Sequence, residues 1–222
     1  MTKDEVLEAA PIVEKALDAI VLWAPKQGRS GADLRTVIGN TRAHLNDFLT
    51  YDVIELALIQ CFDLAYVNGI DLFHMEMIRR IVADQPVQSL GASMVKDTLI
   101  EVIFATAGYI ISRTTYVSRD DVDRVKTQVN IAFEDMEVQI ADQKDSMTWR
   151  AILHLHAAIS MHLVETARPL PRMLNYRFNL TQPSLVMAHR LYADASRADE
   201  LRAENKIVHP VFCPREGRAL SA

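Results

Sequence analysis

The chain has 222 residues, half of them hydrophobic and 24% charged, which fits one or two globular domains and excludes a disordered or collagen-like chain. Seven glycines, eight prolines and 7% aromatics leave too few turn and strand formers for an all-β sandwich or propeller, so helix is the expected class. The formal net charge of −5 argues against a surface that grips nucleic acid throughout, whose usual footprint is a basic patch or stripe.

Thr2 followed by Glu5 has the form of a capping box, and Val6, Ala10, Val13, Leu17 and Ile20 place one apolar stripe on the helix that it starts. Pro25, Gly28 and Gly31 end that helix, and a second is expected from about Asp33 to Leu45. From Tyr51 to Tyr66 the spacing Ile54, Leu58, Cys61, Phe62, Ala65 is again helical. Val53, Leu56, Ala57 and Ile59 add apolar residues on its other faces, which predicts a central helix. Asn68 and Gly69 can supply a left-handed cap or a kink, after which Leu72, Phe73, Met77, Ile78 and Ile81 continue in helical register to Asp84 and Pro86.

A long helix is predicted from Leu90 to Ser112 on Val95, Leu99, Val102, Ile103, Thr106 and Ile110, with Glu101 facing solvent or a partner. Ser118 and the acids Asp120 and Asp121 suit the positive end of the next helix, whose stripe is Val122, Val125, Val129, Ala132, Met136 and Ile140. A last large helix runs from Met147 to Thr166, before Pro169 and Pro171. Residues 1–167 therefore read as about six antiparallel helices in a bundle, and 168–222 as a second, small unit. From Arg168 onward nine Arg or Lys face five Asp or Glu, so this unit carries +4 and the body −9. An acidic body with a mixed-sign tail reads as a protein–protein surface.

Little in the sequence carries chemistry. His154, His156 and His162 lack the three- or four-residue spacing and the carboxylate of a helical metal site, and read as hydrogen-bonded, partly buried histidines. The acids around Asp120 to Asp123 lack the glycine and distal Glu of an EF-hand. There is no Gly-rich phosphate loop, Gly-x-Ser-x-Gly elbow or Cys/His nucleophile pair, so the expectation is no enzyme, no metal and no cofactor. Arg168, Arg172, Arg177, Arg190 and Arg197 form the one candidate for phosphate contact, with a solvated or protein-facing surface the favoured reading. Cys61 and Cys213 make no disulfide framework, and neither a secretory leader nor a membrane span is evident, which leads to the expectation of a cytoplasmic protein or one packed into something assembled there.

The segment SLVMAHRLYADASRADELRAENKIVHPVFCPREGRALS from Ser184 carries a resemblance. Arg190, Leu191 and Tyr192, then Asp194, Ala195, Arg197 to Leu201, Asn205, His209, Pro210, Phe212 and Pro214 stand in the order of the C-terminal region of the Mu-like phage DNA-circularisation (N protein) family. The same stretch resembles a LysM-like β-α-α-β unit, with a strand from about Met173, helices 184–192 and 197–204, and a closing strand near 219–221. Ser196 and Asp199 would cap its second helix, Leu185, Ala188, Leu191 and Leu201 would form its core, and Asn205 would close the helix in a left-handed turn. The turn Asn179 to Ser184 departs from the Gly-Asp-Thr of glycan-binding LysM units, and Ala193 stands where the family usually has Gly.

What the resemblance implies is a non-enzymatic virion protein of a contractile phage tail, assembled in the host cytoplasm. It would sit at the baseplate or central hub and join tube, tape-measure, hub and wedge proteins in a symmetric multi-copy assembly. Arg190, Tyr192, Arg197 and Phe212 are the candidate interface residues. The rival readings are a DNA-binding protein that aids circularisation of the injected genome, against which the acidic body argues, and a peptidoglycan-binding adaptor, against which the altered turn argues.

Overall fold

A computed structural model of the chain describes residues 1–24, 28–139 and 147–221. The protein is mainly helical, with a small antiparallel pair of strands near the C-terminus. Its residues divide into two compact units, Met1–Thr114 with Asp145–Leu155, and Thr115–Lys144 with His156–Ala222.

The first unit is built from α1 (Lys3–Trp23), α2 (Arg29–Ala43), α3 (Leu45–Thr50), α4 (Ile54–Val67), α5 (Leu72–Ala83), α6 (Leu90–Arg113) and the first turns of α8 (Met147–Ala167). The capping box forms as expected: Thr2 Oγ1 accepts the Glu5 N–H, and Glu5 Oε2 accepts the Thr2 N–H at 2.8 Å. Helix α1 buries Val6, Val13, Leu17 and Ile20 and packs on α3, α5 and α6. Its stop signal Pro25 lies outside the described residues, as does Ile140 of the later stripe.

Two expectations need correction here. Helix α6 contacts α1, α4 and α5 and buries the whole predicted stripe, whereas α4, expected to be apolar and buried on several faces, contacts α1, α2, α3 and α6 yet buries one face. Helix α4 buries Ile54, Leu58, Cys61, Phe62 and Ala65, while Val53, Leu56 and Ile59 stay exposed. In α5 the buried face is Met75, Ile78, Arg79 and Val82, so Phe73 points outward. Extra apolar residues on a helix do not by themselves bury it, because burial needs a neighbour on that side. The short α3 follows a break at His44 that the sequence pattern did not mark.

Asn68 links two of these helices. Its side chain donates to Leu64 O and Ser30 O and accepts from the Ser30 hydroxyl, while Gly69 takes the left-handed conformation (φ +86°) predicted for the turn.

The second unit holds α7 (Arg119–Gln139), the rest of α8, β1 (Met173–Arg177), α9 (Ser184–Tyr192), α10 (Ala198–Glu204) and β2 (Glu216–Leu220). Helix α7 starts as Ser118 predicts, with the Ser118 hydroxyl and Asp121 bonded reciprocally. His156 stacks on Phe133 at 4.4 Å and bonds Asn130, joining α7 to α8. The start of α7 also holds the chain that enters β1: Arg119 donates to Leu170 O and Arg168 O, and Asp120 accepts the Met173 N–H at 2.6 Å.

The C-terminal order is β-α-α-β, with Met173 opposite Leu220 and Arg177 opposite Glu216. The module's core is Tyr176, Met187, Leu201, Cys213 and Ala219, edged by Phe178, Leu191, Tyr192 and Ile207. Met187 takes the place expected of Leu185, which is exposed. Asp194, not Ser196 or Asp199, makes the cap, accepting the Ser196 N–H at the head of a 3-10 turn that leads into α10. The left-handed residue that follows α10 is Lys206 (φ +51°), one position after Asn205, and Ala193 (φ +56°) adopts the same conformation where a glycine was expected.

Candidate interaction surfaces

The four residues named from the sequence separate into two kinds. Tyr192 and Arg197 belong to an internal clasp. The Arg197 guanidinium lies 3.8 Å from the Tyr192 ring centroid and makes a two-pronged bond to Glu200 at 2.7 and 3.1 Å. Burial raises the Tyr192 phenol above its ordinary range, with the Glu200 charge acting in the same direction. Arg190 and Phe212 are exposed, and Phe212 touches only the ring of His209 among the described aromatic contacts.

Phe212 sits on a loop that also exposes Val208 and Val211. The loop is pinned to the start of α9, since Pro210 O accepts the Ser184 N–H at 2.7 Å and Gln182 O accepts the Cys213 N–H at 3.3 Å. Leu180 and Leu185, close in sequence to the segment those bonds hold, are exposed as well. An exposed apolar loop of this kind is a candidate contact site.

The module's positive charge is partly neutralised. Arg177 pairs with Glu216, Arg197 with Glu200, Arg202 with Asp199 and Arg218 with Glu204. The guanidinium groups of Arg168, Arg172, Arg190 and Arg215 make no ion pair among the described residues.

The first unit carries a groove of about 410 Å³ between α4, α6 and the first turns of α8. Ile59, Phe104, Tyr109 and Leu155 form apolar walls, and Glu55, Asp63 and Glu101 bring three carboxylates to its lining. Tyr109 is held edge-on by Tyr66 at 5.1 Å and lies beneath the Arg113 guanidinium at 5.4 Å. Glu55 and Asp63 have no ion-pair partner among the described residues. The sequence marks Glu101 as facing solvent or a partner but carries no signal for the groove, which joins helices far apart in the chain.

Both thiols are buried, and that burial pushes Cys61 and Cys213 up, away from the thiolate form. Among the described residues no three His, Cys, Asp or Glu side chains gather as a metal site, and no helix is long and apolar enough to cross a membrane. No family model matches the chain, and no curated protein matches it in sequence.

Proposed function

We propose that the chain is a non-enzymatic structural component of a contractile phage tail, at the baseplate or central hub, joining tube or tape-measure proteins to hub or wedge proteins. The observation that supports this reading is the β-α-α-β module at 173–220, which folds the residues of the phage-family resemblance around a core of their own. Arg197 pairs with Glu200 and Arg202 with Asp199 inside the module, whereas the loop at 208–212 exposes Val208, Val211 and Phe212 and is the contact surface of this reading. A small module with an exposed apolar end suits docking on a partner. Circularisation of DNA would call for a basic surface aimed at phosphate, and although Arg168, Arg172, Arg190 and Arg215 make no ion pair among the described residues, Arg177, Arg197, Arg202 and Arg218 are committed to carboxylates and the chain as a whole is acidic.

Quantitative mass spectrometry of purified tail particles after a high-salt wash, scored against the hub subunit, tests the reading. A fixed small-integer ratio is expected. Loss from the particles, or absence throughout, overturns it and brings the DNA-binding alternative forward, whose mark is an affinity that falls steeply with salt.

A further inference from the structure

We propose that copies of this chain assemble head to tail: the apolar loop at 208–212 of one copy enters the carboxylate-lined groove of the first unit in the next. This inference stands on the two surfaces alone and not on the tail assignment.

Charge complementarity identifies the occupant. The groove combines apolar walls, Ile59, Phe104 and Tyr109, with the free carboxylates of Glu55 and Asp63. It therefore suits a partner that presents an apolar knob flanked by cations. The module presents that combination, with Val208 92% and Phe212 69% exposed, followed three residues on by the unpaired Arg215. The wider field points the same way, because the first unit, which holds the groove, carries −5 in sequence, while residues 168–222 around the knob carry +4. The knob is held rigid by the hydrogen bonds from Ser184 and Cys213, so little conformational freedom is lost when it docks. Knob and groove are different patches of one chain, so their contact is heterologous, and repetition closes a ring or extends a filament.

Sedimentation velocity of the full chain across a concentration series tests this with two variants, Phe212→Asp in the knob and Asp63→Arg in the groove. Both positions are exposed, and far-UV circular dichroism with a thermal melt checks that each variant folds. The wild type is expected to form species larger than a dimer. Each variant alone is expected to lose self-association by on the order of thirtyfold or more, the scale of a buried aromatic anchor. An equimolar mixture of the two should form a 1:1 heterodimer and nothing larger, since only one intact knob and one intact groove remain. A wild type that stays monomeric, variants that assemble as the wild type does, or a mixture that stays monomeric while the wild type assembles each overturns the proposal. Should either variant fail to fold, Val208→Asp and Ile59→Arg replace them with the same expected outcomes.

Discussion

Asn205 and Arg218 are joined by a reciprocal pair of hydrogen bonds: the Asn205 amide donates to Arg218 O at 2.7 Å and accepts the Arg218 N–H at 2.8 Å. The same amide donates to Leu201 O at 2.9 Å, so one side chain ends α10 and occupies the backbone edge of β2. With only two strands in the sheet, that amide does for β2 what a third strand would do.

Asn205→Ala leaves the Arg218 N–H and carbonyl to solvent and is expected to destabilise the second unit by about 1–2 kcal/mol. Asn205→Asp keeps the acceptor and loses the donor, so it should fall between. Hydrogen exchange at the Arg218 amide, read beside a denaturant midpoint, checks both. A Arg218 amide equally protected in Asn205→Ala would show that the side chain is not what holds this edge.

Gly217, beside that bond, has no room for a side chain, because an added Cβ would lie 2.6 Å from the Tyr176 hydroxyl and still closer to the Asn205 amide. Gly217→Ala is therefore expected to lose about 1–3 kcal/mol through overpacking. Gly39 in α2 has nothing within 4 Å of the same position, and Gly39→Ala should gain about 0.5–1 kcal/mol from the lower chain entropy of the unfolded state. Chemical denaturation of the two variants should move the midpoint in opposite directions.

How far the sequence could be read depended on the range of the interaction. Local chemistry was legible: the Thr2–Glu5 box, the start of α7 at Ser118, the turn at Gly69 and the whole stripe of α6 follow from residues within a few positions of one another. The order of the C-terminal elements follows the LysM-like resemblance, with α9 at Ser184–Tyr192 as expected, but the closing strand runs Glu216–Leu220 and so starts three residues before the expected 219–221. What depends on a distant neighbour was not legible. Leu56 and Phe73 continue apolar patterns but meet no helix on their side, and Met187 reaches a core that Leu185 faces away from. The candidate surfaces show the same limit: Phe212 lies within the segment that carries the resemblance, whereas the groove needs α4, α6 and α8 brought together.

The N-terminus of α6 is capped from α1 by two carboxylates. Glu8 accepts the N–H groups of Gln88 at 2.5 Å and Ser89 at 3.1 Å, and Glu5 accepts that of Gly91 at 3.2 Å. Bonds from Ser89 and Gln88 hold the Glu8 carboxyl below its ordinary value, and bonds from Thr2, then Gly91, do so for Glu5. A folded pKa below the unfolded one contributes stability that is present above the ordinary value of 4.5 and lost as pH falls through the lowered folded value. The double variant Glu5→Gln, Glu8→Gln is expected to melt lower than the wild type at neutral pH and to lose less on acidification below 4.5. Thermal melts on both sides of that pH check the sign, and parallel curves for variant and wild type would refute it.

Arg197 and Phe212, both within the segment that carries the resemblance, should separate when stability and assembly are measured on the same proteins. Arg197→Ala removes a cation stacked on Tyr192 and bonded to Glu200, and is expected to destabilise the module by about 1 kcal/mol. Self-association should then change only as far as folding does. Phe212→Ala removes a ring that is 69% exposed, so its stability should stay within about 0.5 kcal/mol of the wild type. Its self-association should nonetheless weaken, because the area it loses lies on the docking loop. Denaturant midpoints and sedimentation on each variant give the two readouts independently. Weakened assembly in Arg197→Ala with its stability intact would move the docking surface from the 208–212 loop to the face of α9 and α10.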